Sequence, residues 1–106
     1  MDPLSPAQTE RLALLMEECA EVIQMAGKSL RHGFESTHKD YGYRLNEELL
    51  AVELGHVLAA VDLLVERGDL SRGDINTARD AKAAKIRRGT HFHYQAAPSA
   101  PGDGQG

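Results

Sequence analysis

Apolar residues recur at three- and four-residue spacing over Leu12, Leu15, Met16, Cys19, Val22, Ile23, Ala26 and Leu30, which is the period of an α-helix. Ser5 followed by Pro6 supplies an N-cap and a proline at the first helical position, and Gly33 supplies a stop. The next stretch, FESTHKDYGY over residues 34–43, has no period and predicts a loop. A second helix is predicted from about Arg44 to Arg67, ending at Gly68. Ser71 with Asp74 is similar to a capping box, with aspartate in place of the usual Glu or Gln, and opens a third helix running to about Arg88 before Gly89. No β-alternation of useful length and no internal repeat is present, so the predicted fold class is all-α.

The second helix carries a further implication. Leu45, Leu49, Leu50, Val52, Leu54, Val57, Leu58, Val61, Leu63, Leu64 and Val65 surround most of its circumference. A helix apolar nearly all round must be covered nearly all round, and two partner helices cannot do so. A chain this short also buries little surface alone. Both points predict a helical bundle completed by homo-oligomerisation, as a homodimer or homotetramer.

Composition narrows the class. The 106 residues carry 12 basic and 16 acidic side chains, a net charge of −4, one cysteine and no tryptophan. The negative balance argues against binding a nucleic-acid polymer. No apolar run approaches the ~20 residues of a membrane span, and Met1-Asp2-Pro3 lacks the regions of a signal peptide. Cys19 alone cannot form an internal disulfide. A cytoplasmic protein is expected. The final residues, AAPSAPGDGQG over 96–106, read as a disordered tail, leaving a working domain of residues 1–95.

Carboxylates sit inside the most apolar segments. Glu17, Glu18 and Glu21 form an E-E-x-x-E cluster. At ~100° per residue, Glu18 and Glu21 fall opposite the stripe Leu12–Cys19–Ala26–Leu30, on a line they share with Leu14 and Met25. Like charges at such spacing cost a few tenths of a kcal/mol per pair unless a cation compensates. On the second helix Glu53 and His56 share a face with Leu49, Leu50, Val57, Ala60 and Leu64, while Glu48, Gly55, Asp62 and Glu66 mark the polar side. A lone histidine there is commonly a hydrogen-bonded core residue. An ionised glutamate among apolar residues must instead be paired, protonated or bound to a metal. Carboxylates from two helices with one imidazole describe an oxygen-rich divalent-cation site, suited to Mg²⁺ or Mn²⁺, with the nitrogen favouring Mn²⁺. Structural-zinc spacings are absent, and His91 and His93 have no nearby thiolate or carboxylate partner in sequence. Lys28, Arg31 and His32 follow the acidic cluster, and Lys82, Lys85, Arg87 and Arg88 lie late on the third helix. Cations beside a metal site suit a polyphosphate, although cations near helix C-termini are also favourable in themselves.

The paired motif, E-E-x-x-E on one helix and E-x-x-D on the next, resembles the MazG-type all-α nucleoside triphosphate pyrophosphohydrolases. Glu17-Glu18-Cys19-Ala20-Glu21 matches the first half, and Glu53-Leu54-Gly55-His56 matches the second with histidine where the family has aspartate. The strings LLMEECAEVIQMAGKSLRHGFES and ELGHVLAAVDLL, with the third helix ending near HFHYQ, look like small phage-encoded members, which would act in a bacterial or host cytoplasm. The resemblance covers residues 8–95.

It implies hydrolysis of a (deoxy)nucleoside triphosphate to the monophosphate and pyrophosphate with two or three Mg²⁺ or Mn²⁺ ions. Glu18, Glu21 and Glu53 would be metal ligands, and Glu17 a further ligand or the group orienting the attacking water. His56 would occupy the fourth ligand position. Lys28, Arg31, Lys82 and Lys85 would bind the phosphates. The nucleobase, a purine with dGTP leading, would lie against apolar residues near the start of the first helix, under the loop 34–43. A broad housecleaning pyrophosphatase and a non-catalytic helical nucleotide- or partner-binding module are the alternatives. A di-iron bundle needs two E-x-x-H repeats, of which one chain has one.

Overall fold

A computed structural model describes residues 2–89. These residues form α1 (Pro6–His32), a short 3₁₀ turn (Lys39–Tyr41), α2 (Asn46–Glu66) and α3 (Arg72–Arg88), with no strand among them. The protein is all-α over this span. The tail at 96–106, the boundary at 95, and His91 and His93 lie outside the described residues. The chain divides into two units, Met1–Ser71 and Arg72–Gly106.

In the first unit α1 begins as the Ser5–Pro6 signal predicts. The Ser5 hydroxyl accepts from the Gln8 N–H at 3.1 Å, and Gln8 Oε1 accepts from the Ser5 N–H at 2.9 Å. Two otherwise orphaned donors are satisfied reciprocally. Gly33 ends the helix at φ +89° and ψ 163°, a conformation open almost only to glycine. Its carbonyl accepts from Asn46 Nδ2 at 3.0 Å, while the Asn46 N–H bonds Ser36 O at 2.9 Å and the Glu47 N–H bonds Phe34 O at 3.0 Å. The segment after α1 therefore seats the first turn of α2. This is why α2 begins at Asn46 rather than near residue 44: Leu45 is extended, and Glu48 reaches back to its N–H at 2.9 Å.

The two helices run antiparallel, held at the far end by Asp69 just beyond α2. Arg11 grips its carboxylate with both Nε (2.6 Å) and Nη2 (3.1 Å), and Gln8 Nε2 adds a third bond at 3.2 Å. The Arg11 guanidinium holds the Asp69 carboxyl below the usual aspartate range. Between these ends the core is small: Met25, Ala60 and Leu64 are buried, Leu64 completely.

Met25 and the two glutamates near it face α2, and Met25 is the buried apolar residue of α1, Leu12 and Leu14 being exposed alike at 38% and 37%. Leu30, at the end of the helix, turns outward and is 88% exposed. Met16 and Ile23 are exposed on α1, as are Leu54 and Leu58 on α2.

In the second unit α3 carries Asp74 in its first turn and Lys85, Arg87 and Arg88 in its last, which complements the helix dipole. Among the described residues no helix is long and apolar enough to cross a membrane.

Candidate metal centre

Helix periodicity places Glu18 and Glu21 one turn apart on α1, and Glu53 and His56 one turn apart on α2. Antiparallel packing sets the two pairs against each other. One ligand atom from each of Glu18, Glu21, Glu53 and His56 lies within 4.8 Å of every other. His56 Nδ1 stands 3.4 Å from Glu18 Oε2 and 3.4 Å from Glu53 Oε2. Both of those oxygens are buried, and neither accepts a hydrogen bond. His56 itself is half exposed, so the cluster opens to solvent on the imidazole side.

The electrostatics are unfavourable as they stand. The Glu53 carboxyl is pushed above the ordinary glutamate value, first by sharing a hydrogen bond with Glu21, then by burial and by repulsion from the Glu21 charge. His56 opposes the shift without cancelling it. Three carboxylates around one imidazole have an excess of acceptors, and two lone-pair-bearing oxygens have no donor.

A divalent cation suits this donor set. Octahedral Mg²⁺ at about 2.1 Å from its ligands needs donor atoms roughly 3 Å apart when adjacent and roughly 4 Å apart when opposite. Side-chain adjustments of less than about 1 Å bring a 4.8 Å cluster to that spacing. Two oxygens already stripped of water and unbonded favour such an adjustment.

Not every residue singled out from the sequence joins the cluster. Glu17 is exposed and lines a different groove with Ala7, Glu10, Arg11, Leu14, Leu63 and Arg67. One residue along a helix is a rotation of ~100°, which turns it away from its neighbour Glu18. Lys28 and Arg31 line an open groove of about 670 Å³ together with Glu21, Glu53 and Tyr41. A second groove, of about 520 Å³, opens from Glu18 and His56 over Leu14, Ala59, Ala60 and Leu63. The carboxylates thus border both a groove that also holds Lys28 and Arg31 and a more apolar one that also carries Asp62 and Glu66. Lys82 and Lys85 are exposed on α3, in the second unit.

Tyr41 was visible in sequence only as one of two loop tyrosines. In the structure it sits on the 3₁₀ turn with Lys28 Nζ 4.0 Å from the centre of its ring. A three-residue turn has no periodic signature, so nothing in the pattern pairs position 41 with position 28.

Comparison of the chain with protein-family models, curated proteins and solved structures finds no match. The functional reading rests on the chemistry of the site.

Proposed function

We propose that the protein is a metal-dependent nucleoside triphosphate pyrophosphohydrolase whose cations are held by Glu18, Glu21, Glu53 and His56. The observation that supports this most is the pair of buried, unbonded oxygens on Glu18 and Glu53 inside a four-ligand cluster. Mg²⁺ and Mn²⁺ are the fitting ions, with His56 favouring Mn²⁺. When bound, such ions neutralise a triphosphate against the carboxylates, lower the pKa of a bound water and stabilise departing pyrophosphate.

The chain's own groups do the rest. Lys28 and Arg31 hold the phosphates in the groove they share with Glu21 and Glu53. Leu14, Ala59 and Leu63 give the nucleobase an apolar surface on the other side of the cluster. Glu17, being turned away, takes no part in ligation within one chain. The sequence resemblance adds attack at the α-phosphorus and a purine deoxynucleotide, dGTP, as substrate. Exposed Met16, Ile23, Leu30, Leu54 and Leu58 support a homo-oligomer in which a second copy covers these apolar stripes.

One observation favours a second reading, a helical binding module without catalysis. Glu21 raises the Glu53 carboxyl above its ordinary value, and His56 Nδ1 lies 3.4 Å from both Glu18 and Glu53, so the cluster's groups also have partners among themselves. A single experiment separates the two. Pyrophosphate release is assayed with all common (d)NTPs under Mg²⁺ and Mn²⁺ for the wild type and for Glu21→Gln. The enzyme reading expects release that is fastest with dGTP and lost in the variant while the circular dichroism stays helical. No release from the wild type under either metal makes the module the correct account.

A further inference from the structure

Beyond Lys28 the surface continues into a smaller groove of about 250 Å³, lined by Lys28, His32, Ser36, Thr37, His38 and Asn46. No carboxylate lines it. Lys28 borders both this groove and the one shared with Glu21 and Glu53. Tyr41 holds its ammonium at that boundary through the contact of 4.0 Å with the ring face. His38, which also lines the groove, accepts at Nδ1 from the Asp40 N–H at 3.1 Å, an arrangement in which a neutral ring carries its proton on Nε2. Asp40 Oδ2 lies 3.5 Å from the same Nδ1, on the side away from that donor. An ammonium, two imidazoles and two hydroxyls without a lining acid make an anion site, not a cation site.

Helix geometry says which anion. Seven residues from Glu21 to Lys28 span about 10 Å, and His32 lies about 6 Å further. A triphosphate attacked at its α-phosphorus extends only roughly 5–6 Å to its γ-phosphorus, through two P–O–P links. Held at the carboxylates, it is shorter than the helix rise from Glu21 to His32, so the groove beyond Lys28 suits an anion that has moved away from them.

We propose that this groove is a binding subsite for inorganic pyrophosphate, which it receives from Lys28 after cleavage. The proposal rests on the pyrophosphohydrolase reading for the origin of its ligand. The balance is simple: water adds to the α-phosphorus, the α–β bridging P–O bond breaks, and the departing pyrophosphate carries away the bridging oxygen.

The test is titration calorimetry of the full chain with inorganic pyrophosphate, together with product inhibition of triphosphate hydrolysis. His32→Ala and His38→Ala are each expected to weaken pyrophosphate binding about 10-fold, the loss of one good phosphate contact. Each should raise the pyrophosphate inhibition constant by the same factor and leave KM for the triphosphate unchanged. Tyr41→Leu should weaken binding where Tyr41→Phe does not, because only the first removes the ring under Lys28. Lys39→Ala, which removes an exposed cation lining neither groove, is the control. Equal losses in that control and the histidine variants would mean general charge attraction and overturn the subsite. So would unchanged binding in both histidine variants, or no pyrophosphate binding by the wild type. If calorimetry shows histidine-dependent binding but no triphosphate is hydrolysed, the subsite stands and the enzyme reading falls. If hydrolysis is found without histidine-dependent binding, the reverse holds.

Discussion

Glu53→Gln separates a cation site from a decorative acidic cluster, because the two accounts give opposite signs. The glutamine amide keeps a donor toward Glu21, so at a pH above the raised Glu53 value the main perturbation is loss of one charge. Two unit charges 4.8 Å apart, the outer spacing of the cluster, repel by about 1 kcal/mol in water and about 3.5 kcal/mol at an effective dielectric near 20. The half-buried site falls between these limits, and the lost attraction to His56 removes part of the gain. A net stabilisation of about 1 kcal/mol in the metal-free protein follows, or a rise in Tm of roughly 4–8 °C for a domain of this size. With metal the order reverses. At a concentration about 100-fold above the wild-type Kd, binding adds about 2.7 kcal/mol. A variant whose affinity has fallen about 100-fold retains only about 0.4 kcal/mol of that. Thermal denaturation followed by circular dichroism, at fixed protein concentration and with either EDTA or Mn²⁺, reads both numbers. A variant less stable than wild type in EDTA and equally stabilised by Mn²⁺ would refute the reasoning.

Four further outcomes are expected. Leu64→Ala, at the one completely buried large side chain among the described residues, should cost about 2–5 kcal/mol in chemical denaturation. Asp69 has its carboxyl lowered by Arg11, so its contribution is present above the ordinary aspartate value and is lost as pH falls through the lowered one. Asp69→Asn should therefore lower Tm at neutral pH and flatten the acid limb of stability. Glu53, shifted upward, gives metal-free stability that declines as pH rises from the ordinary glutamate value to the raised one, and Glu53→Gln should remove that decline. Finally, Ile23→Lys on the exposed stripe of α1 should shift sedimentation toward monomer without loss of helix content, if a second copy covers that stripe.

The helices could be read from local chemistry, because caps and stops are local. Ser5–Pro6, Gly33 and Gly68 mark boundaries through backbone geometry that neighbouring residues determine. The cluster of Glu18, Glu21, Glu53 and His56 was accessible for a related reason. Helical spacing alone pairs the members on each helix, and a charge among apolar residues calls for a partner. What lay beyond the sequence is set by how the helices rotate against each other. Both faces of α1 carry apolar residues, so the pattern could not say that Met25 turns inward and Leu30 outward. Glu17, adjacent to Glu18, leaves the cluster by the same rotation. The Arg11–Asp69 clamp joins positions 58 residues apart and exists only once the antiparallel pair has formed. The start of α2 moved because Asn46 binds the carbonyls of Gly33 and Ser36, a tertiary effect on a local boundary.

The central claim is that these carboxylates carry metal-dependent cleavage between the α- and β-phosphates. ³¹P NMR of the products formed from dGTP in ¹⁸O-enriched water with Mn²⁺ tests it directly. The account predicts dGMP bearing one ¹⁸O and unlabelled pyrophosphate, with no reaction in EDTA. Diphosphate with inorganic phosphate, label in the pyrophosphate, or no turnover with metal would contradict it.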